Sequence, residues 1–478
     1  MRNHRGRPAG SGGLWLACAA RVPHIGTKGD YTMHDLSNLT EALLTEARKA
    51  GADAADALAV SGHSQSIDIR QGKLEQAERS EAVEVGLRVL IGGRQACVSA
   101  SDISPATMAR LAERAVAMAR EAPDDPTVGL ADPDQIARGW NLAQYDLADP
   151  ADEPSPQVLE SDARRAEAAA LASTGITQVE ASAGWSRRDM HLATSAGFSG
   201  GYARTSRSTS AVAFTGTGTG MERDWAGEGR IFAADLPAPE EIGSLAAQRT
   251  LERAGSVKPP TGAYPVLFDE RIASSLIGHL LSAINGAAIA RGASWLRNAL
   301  GSQVLPSGLS VIEDPHRPRI SGSRPFDGEG LPTQRRAIVE GGILTSWTLD
   351  LGTARKLGMQ STANASRGTS SPPSPSTSNI DLTQGSASRA DLIRDMGTGL
   401  LVTSMIGATI NPTTGDYSRG ASGFWVENGQ IMHPVNECTI AGNLRDMLLR
   451  IIPANDARAH LSTRVPSLLV EGLTLAGA

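Results

Sequence analysis

The chain has 478 residues, of which 40% are hydrophobic and only 4% aromatic. This length is enough for more than one buried core, and the apolar share excludes a mainly disordered chain. The low aromatic content disfavours a stacking surface for RNA or single-stranded DNA, and the formal charge of −6 disfavours contact with phosphate backbones. We therefore expect no nucleic-acid partner.

The first 32 residues combine basic side chains with a short apolar run over 14–20. We predict a disordered leader or an upstream mis-start over 1–32, and the alternative is a secretory signal. No later segment reaches the roughly 18 apolar residues of a membrane span, so we expect no membrane contact. The cysteines, Cys18, Cys97 and Cys438, form no C-x-x-C pair, which favours a cytoplasmic chain without disulfides.

Hydrophobic periodicity and turn residues predict an α+β fold of three units, with antiparallel β-rich sheets and flanking helices. The predicted segments are an N-terminal α+β domain over 33–125, a linker over 126–157, a central β-rich domain over 158–256 and a C-terminal mixed domain over 257–478. The linker is assigned from prolines and acidic clusters, which are typical of connections.

The first unit is predicted to be a helix over 37–50, an antiparallel meander over 55–101 and a helix that begins at Ser104 and ends near Arg120. In the central unit, a helix near 157–173 precedes β-rich sequence. The predicted elements there are strands at 178–185, 190–194, 202–214 and 225–233, and a helix over 239–253.

The third unit opens with a predicted strand at 264–268 and a long helix over 271–290 that has little polar face, which indicates a buried helix. Further predicted elements are strands near 309–313, 336–340, 343–349, 399–406, 423–427, 430–433 and 467–473, and a helix near 353–357. The segment 366–378 is rich in Ser, Thr and Pro, a composition that predicts a mobile surface loop.

The nine histidines include no pair with the spacing of a zinc-protease helix, which needs two His one turn apart and an adjacent Glu. The positions one turn on either side of His279 carry Ser275 and Ala283, and neither side chain can serve as a zinc ligand. We interpret His279 as a packed core histidine, and a functional role is the alternative.

Two glycine-rich segments imitate catalytic loops. Residues 197–201 match the G-x-S-x-G elbow of serine hydrolases, but the elbow must join a strand to a helix, and 202–207 have the pattern of a strand. A hairpin is therefore predicted, and Ser199 as a nucleophile is the disfavoured alternative. Residues 215–220 resemble a phosphate loop without its Gly-Lys-Ser/Thr ending, so a flexible β-turn is predicted.

The third unit contains further glycine-rich stretches at 326–330, 341–347 and 415–429. Loops that present polar groups on a rigid sheet often bind ligands or partners. We therefore take one cluster as a candidate substrate or interface loop: Asp416, Tyr417, Ser418 and Arg419. The alternative is that these stretches are only tight turns.

Five strings of the third unit resemble the TldD/PmbA metalloprotease family: 326–330, 342–345, 354–358, 415–429 and 439–444. They are closer to its PmbA branch, also called TldE or modulator of DNA gyrase, than to TldD. The resemblance covers most of the chain from about Met33. It implies a cytoplasmic zinc peptidase that is assembled as a TldD–PmbA heterodimer and acts on unfolded or extended peptides.

In TldD-type members the metal helix carries H-E-x-x-x-H. The corresponding segment here, 274–280, lacks the first His and the Glu, and His279 stands roughly where one motif residue would be, as a motif remnant. Cys438 lies too early to match the cysteine ligand near the C-terminus of TldD. The resemblance thus implies no catalytic and no metal-binding residue in this chain, and zinc in the TldD partner.

The leading hypothesis is a PmbA/TldE-type subunit of a heterodimeric zinc metalloprotease that lacks its own zinc motif. Extended peptides would dock by adding a strand to a sheet edge. One alternative is a metal-independent homodimeric binding or regulatory protein with gyrase-related partners. Another is a self-sufficient hydrolase that uses Ser199 or the dispersed histidines His279, His316 and His433.

Overall fold

The computed structural model describes residues 32–478. The leader predicted over 1–32 lies outside the described residues, apart from Thr32. Thr32 caps the first helix, α1 (Met33–Lys49), through a capping box: its hydroxyl accepts a hydrogen bond from Asp35 N, and the Asp35 carboxylate accepts one from Thr32 N. The helix therefore begins four residues before the start expected from apolar spacing.

The first large sheet has six antiparallel strands in the order β3-β2-β1-β4-β5-β6. Its strands are β1 (Ala54–Arg70), β2 (Lys73–Ile91), β3 (Arg94–Ala100), β4 (Ile176–Thr194), β5 (Ser199–Thr215) and β6 (Glu222–Arg230). The central pairing of β1 with β4 runs from Asp56 opposite Thr194 to Arg70 opposite Glu180. The predicted N-terminal and central units therefore share one continuous sheet.

Four helices cover this sheet: α1, α2 (Pro105–Glu121), α3 (Pro156–Leu171) and α4 (Pro239–Glu252). The first two bury leucines and alanines against β1–β3, and the other two bury mainly alanines against β4–β6. A Cβ on Gly243 of α4 would collide with the carbonyl oxygen of Ala166 on α3. Only glycine allows these two helices to approach so closely.

The third unit holds the remaining elements. Its helices are α5 (Glu270–Ala283), α6 (Gly286–Ala290), α7 (Leu351–Leu357), α8 (Arg389–Met396) and α9 (Leu444–Leu448). Its strands are β7 (Gly262–Phe268), β8 (Val311–Glu313), β9 (Arg336–Glu340), β10 (Ile343–Leu344), β11 (Ala365–Ser366), β12 (Ser374–Pro375), β13 (Ile380–Leu382), β14 (Gly399–Ile410), β15 (Asp416–Glu427), β16 (Gln430–Asn443), β17 (Ile452–Pro453), β18 (Thr463–Arg464) and β19 (Leu468–Ala476).

The second large sheet has the order β16-β15-β14-β7-β19-β17, and β16 also pairs with β19. This extra pairing closes β7, β14, β15, β16 and β19 into a ring of five strands, which we call the closed sheet. A smaller sheet, β10-β9-β8-β13-β18, and the ribbon β11–β12 complete the unit. The α+β prediction with antiparallel sheets and flanking helices is confirmed.

The predicted linker packs against the third unit. Arg355 donates to the carbonyl oxygen of Leu130 at 2.7 Å, and the Trp140 ring lies 5.0 Å from the Phe326 ring. Regular structure between 126 and 155 is limited to one helical turn, Leu142–Gln144. The domain boundaries themselves stay predictions.

Three local predictions differ from the structure. The strands expected at 178–185 and 190–194 are one strand, β4. The helix expected over 271–290 divides into α5 and α6 because Asn285 caps α6, with its side chain accepting a hydrogen bond from Ala287 N at 3.0 Å. The strand expected at 343–349 ends at Leu344.

The segment 366–378 is exposed over much of its length, as predicted, but it is not the unpaired loop that its composition indicates. Its two ends pair as β11 and β12, and Thr369 and Pro375 are buried. A Cβ on Gly86 of β2 would collide with the backbone of Thr369. The segment therefore connects the third unit to the first sheet. No helix within residues 32–478 is long and apolar enough to cross a membrane.

Candidate functional site

His279 lies on α5, the helix that corresponds to the metal helix of the resemblance. Asp269 caps this helix, and one face of it buries apolar side chains such as Leu276 and Leu280 against the closed sheet. His279 is half-buried, and its Nε2 atom is buried without a hydrogen-bond partner among the described residues. Burial first, and the charge of Arg419 second, lower the pKa of His279.

The four candidate residues 416–419 lie at the start of strand β15, not in a loop as expected. Successive strand side chains point to opposite faces, so Tyr417 and Arg419 share one face. The Tyr417 ring stands edge-on to His279 with the ring centres 5.8 Å apart. Asp416 and Ser418 belong to the other face. The structure thus brings His279 together with two of the four candidates.

Tyr417 fills the space beside α5. It is 2% exposed, its hydroxyl lies 3.3 Å from Met405 Sδ, and burial raises its pKa to about 12. Arg419 donates from Nε to the carbonyl oxygen of Gly407 at 2.7 Å. A neutral phenol and a guanidinium therefore surround the imidazole.

Asp416 is exposed and braces the turn before β15. Its carboxylate accepts hydrogen bonds from Thr414 Oγ1 at 2.6 Å and Asn443 Nδ2 at 3.1 Å, and these bonds lower its pKa. Ser418 is half-buried and lies between Thr409 and Ala441 in the sheet register.

The residues present do not fit a zinc site. Residues 32–478 contain no group of three or more His, Cys, Asp or Glu side chains that could hold a metal ion. One turn from His279 stand Ser275 and Ala283. The Cys438 thiol contacts the carbonyl oxygen of Ala421 at 3.2 Å, and burial raises its pKa to about 11, which disfavours the thiolate that binds metals.

The hairpin prediction for 197–201 is confirmed. Gly197 has φ +101°, and Ser199 begins β5, which continues as a strand to Thr215. Ser199 Oγ lies 3.4 Å from His191 Nε2. The strand–turn–helix geometry of a nucleophile elbow is not formed here, because a strand follows the serine.

The other dispersed groups lie in separate elements. His316 Nε2 is 3.1 Å from Thr333 Oγ1, and its ring stands edge-on to Tyr145. His433 belongs to β16. The segment 215–220, predicted to be a flexible β-turn, connects β5 to β6 and contains one 3-10 turn, Gly218–Gly220.

A pair of buried carboxylates in the string 326–330, Asp327 and Glu329, has no signal in the sequence that marks it as a pair. Asp327 accepts hydrogen bonds from three backbone N–H groups, those of Glu329, Leu331 and Ala365. Glu329 accepts one, from Leu351 N at 2.8 Å. Burial first, and the Asp327 charge second, raise the pKa of Glu329 to about 8. Burial also raises the pKa of Asp327, but its three backbone donors act against this shift. We therefore assign the proton retained by the pair to Glu329.

A buried ion cluster lies between the first sheet and the third unit. Asp56 on β1 pairs with Arg88 on β2 at 2.6 Å and with Arg367 from the segment 366–378. All three side chains are less than 5% exposed. Sequence spacing gave no signal for this cluster, because its members come from distant parts of the chain.

The closed sheet, the buried side chains of the string 326–330 and the α5–β15 contact belong to an α+β architecture built on two large sheets. Three family models match in order: PmbA/TldA metallopeptidase domain 1 over 55–119, its central domain over 149–254 and its C-terminal domain over 261–477. The chain belongs to the PmbA/TldD metallopeptidase family.

The chain is 36% identical over 414 residues to metalloprotease PmbA of Escherichia coli O157:H7, covering 86% of this chain and 90% of that protein. Among solved structures, a modulator of DNA gyrase from Bacteroides thetaiotaomicron matches with a TM-score of 0.87 and 27% identity, covering 94% of this chain and all of that one. TldE from Thermococcus kodakarensis shares the fold, with a TM-score of 0.79 and 19% identity over 91% of this chain and 99% of that one.

Proposed function

We propose that this chain is the PmbA/TldE-type subunit of a two-chain zinc metalloprotease, and that a TldD-type partner holds the zinc. The observation that carries this proposal is the composition of α5. The helix keeps one imidazole, His279, and presents Ser275 and Ala283 where ligands one turn away would stand. A hydrolytic zinc site needs three protein ligands and a base for the attacking water.

The surroundings of His279 support the same proposal. The neutral Tyr417 ring packs against it, and Arg419 places a positive charge near it. A nearby guanidinium repels a divalent cation, which makes this a poor place for zinc even if one ligand were added. The buried Tyr417 side chain occupies one side of His279.

In the proposed complex, the residues of the partner's H-E-x-x-x-H motif would hold zinc, which would supply Lewis-acid chemistry for the peptide carbonyl and for water. This chain helps to enclose the space in which the peptide is cut, and it positions the partner's zinc site. The substrates are unfolded or extended peptides in the cytoplasm, which dock by adding a strand to a sheet edge. Such docking reads the peptide backbone and tolerates many sequences.

The test is to purify this chain alone, a TldD-type chain alone and the two together, and to measure zinc content and cleavage of an unfolded protein such as casein. We expect cleavage by the pair and none by this chain alone. Replacing the Glu of the partner's H-E-x-x-x-H by Gln should abolish cleavage, whereas His279→Ala in this chain should leave the zinc content of the pair unchanged. Cleavage by this chain alone would refute the proposal.

The second candidate function is a metal-independent homodimer that binds or regulates another protein. The description of the Bacteroides structure as a modulator of DNA gyrase favours the regulatory part of this candidate. Analytical ultracentrifugation of the chain with and without a TldD-type chain separates the two: a homodimer that persists in the mixture would support the second function.

A further inference from the structure

A cleft of about 510 Å³ lies between α4 of the central unit and the closed sheet. One wall is the solvent side of α4 near Leu245 and Arg249. The other is formed by the starts of α5 and α8 and by strands β14, β15 and β16. It is distinct from the surroundings of His279, which do not contribute to its lining.

Three guanidinium groups line this cleft, those of Arg249, Arg271 and Arg389. Arg249 donates to the carbonyl oxygen of Trp225 at 3.1 Å, and no carboxylate of the described chain lies within ion-pair distance of it. Burial first, and the charge of Arg271 second, lower its pKa, and the charges of Asp224, Asp269 and Glu270, which lie beyond ion-pair distance, act against this shift. A half-buried guanidinium without a direct counter-ion is unfavourable until an anion joins it.

The acidic residues that line the cleft either form ion pairs with arginines or are exposed. Asp269 pairs with Arg271 and Arg389, each at 3.3 Å. Glu270 accepts from Arg458 Nε at 2.7 Å. Glu252 is exposed and accepts from its neighbour Gln248. Arg249 is therefore the cationic side chain of the cleft that is available to form an ion pair with a ligand.

Two residues that line the cleft also carry a buried polar atom without a hydrogen-bond partner among the described residues. Thr403 Oγ1 belongs to a side chain that is 5% exposed, and Arg389 Nε is buried although its side chain is 39% exposed. Buried hydrogen-bonding atoms in native proteins nearly always have partners, so these two atoms favour a polar ligand in the cleft.

Beside the charged starts of α5 and α8, the wall opposite α4 continues as a mainly apolar stretch of β15 and β16, which also carries His433. Ile431 and Met432 are 47% and 54% exposed, and Phe424 and Pro434 lie beside them. On one side β16 pairs with β15. On its other side, within the described chain, hydrogen bonding begins at Pro434, which accepts from Val257 N at 3.2 Å. The backbone edge at 430–433 is therefore open to a further strand.

We propose that this cleft binds the C-terminus of a peptide whose last residue is apolar. The terminal carboxylate pairs with Arg249, because a guanidinium binds a carboxylate with two parallel hydrogen bonds. The last side chain packs on Ile431 and Phe424, and the preceding backbone runs along the open edge of β16. All residues of this site belong to this chain, so peptide binding to the cleft needs neither zinc nor a partner chain. The inference therefore goes beyond the proposed function.

The test is isothermal titration calorimetry of the full chain with acetyl-Ala-Ala-Leu and with its C-terminal amide. We expect the free acid to bind about tenfold or more tightly than the amide, the effect of one charge-assisted hydrogen-bonded pair. Arg249→Gln should remove this difference. Arg394→Gln is the matched control, since Arg394 is an exposed arginine of α8 that pairs with Asp391 outside the cleft.

A second variant tests the contribution of the apolar residues to peptide binding separately from that of the Arg249 charge. Ile431→Ser, at an exposed position, should weaken binding of acetyl-Ala-Ala-Leu and leave acetyl-Ala-Ala-Gly unchanged. Sodium acetate should compete only at much higher concentration than the tripeptide. Equal affinity for acid and amide, unchanged binding in Arg249→Gln, or acetate binding as tightly as the peptide would each overturn the proposal, as would no binding of the peptide at millimolar concentration.

Discussion

The buried carboxyl of Glu329 makes stability depend on pH in a direction that can be measured. Its pKa is raised to about 8 in the folded chain, against about 4.3 in an unfolded one. Between these values the folded chain holds one more proton than the unfolded chain. The free energy of unfolding therefore falls as pH rises through this window, by about 1.4 kcal/mol per pH unit.

From pH 5.5 to 7.5 this group alone removes about 3 kcal/mol of stability. Glu329→Gln keeps the hydrogen bond from Leu351 N, because the amide oxygen can accept it, and removes the titration. We expect the variant to match the native chain near pH 5.5 and to be more stable at pH 7.5. Urea unfolding, followed by circular dichroism at four pH values between 5.5 and 8.5, measures how the free energy of unfolding changes with pH in the native chain and in the variant.

Glu340→Gln is the control, because Glu340 is an exposed side chain of β9 in the same unit. In this control variant the free energy of unfolding should change with pH as it does in the native chain. If Glu329→Gln showed the native slope as well, the retained proton would not lie on Glu329. The assignment based on the three backbone donors of Asp327 would then be wrong.

Three further predictions concern the contact between the first sheet and the third unit, and the hairpin at 197–201. Asp56→Asn should lower the free energy of unfolding by about 3–5 kcal/mol, because it removes the carboxylate that pairs with two buried arginines. The exposed Asp53 lies just before β1, and Asp53→Asn should cost less than about 1 kcal/mol in the same urea titration. Gly86→Ala should cost about 1–3 kcal/mol by overpacking against Thr369, and limited proteolysis should then cut within 366–378; resistance equal to that of the native chain would contradict this contact. Ser199→Ala should leave casein cleavage by the two-chain enzyme unchanged, and loss of cleavage without loss of zinc would revive the serine alternative.

Local signals in the sequence predicted most helices and many strands, because caps and periodicity act over a few residues. Helix α2 begins after Ser104, whose hydroxyl accepts from Thr107 N as expected for an N-cap. The break at Asn285 was missed because the apolar pattern continues through it. Asparagine caps a helix only when the tertiary structure turns the chain there.

Long-range contacts explain the other differences. The composition of 366–378 is typical of a mobile loop, yet Arg367 is buried by Asp56, which lies more than 300 positions earlier in the chain. Residues 416–419 have the pattern of a turn, but β14 and β16 pair with them on both sides. The contact between His279 and Tyr417 likewise depends on how α5 packs on the closed sheet, which spacing along the chain does not encode.

The zinc content of the chain, purified alone and with a TldD-type chain, tests the central claim most directly. Elemental analysis after desalting should find almost no zinc on this chain alone and about one zinc ion per pair of chains, bound by the partner's motif. Stoichiometric zinc on this chain alone that is lost in His279→Ala would contradict the account and would place a metal site on α5.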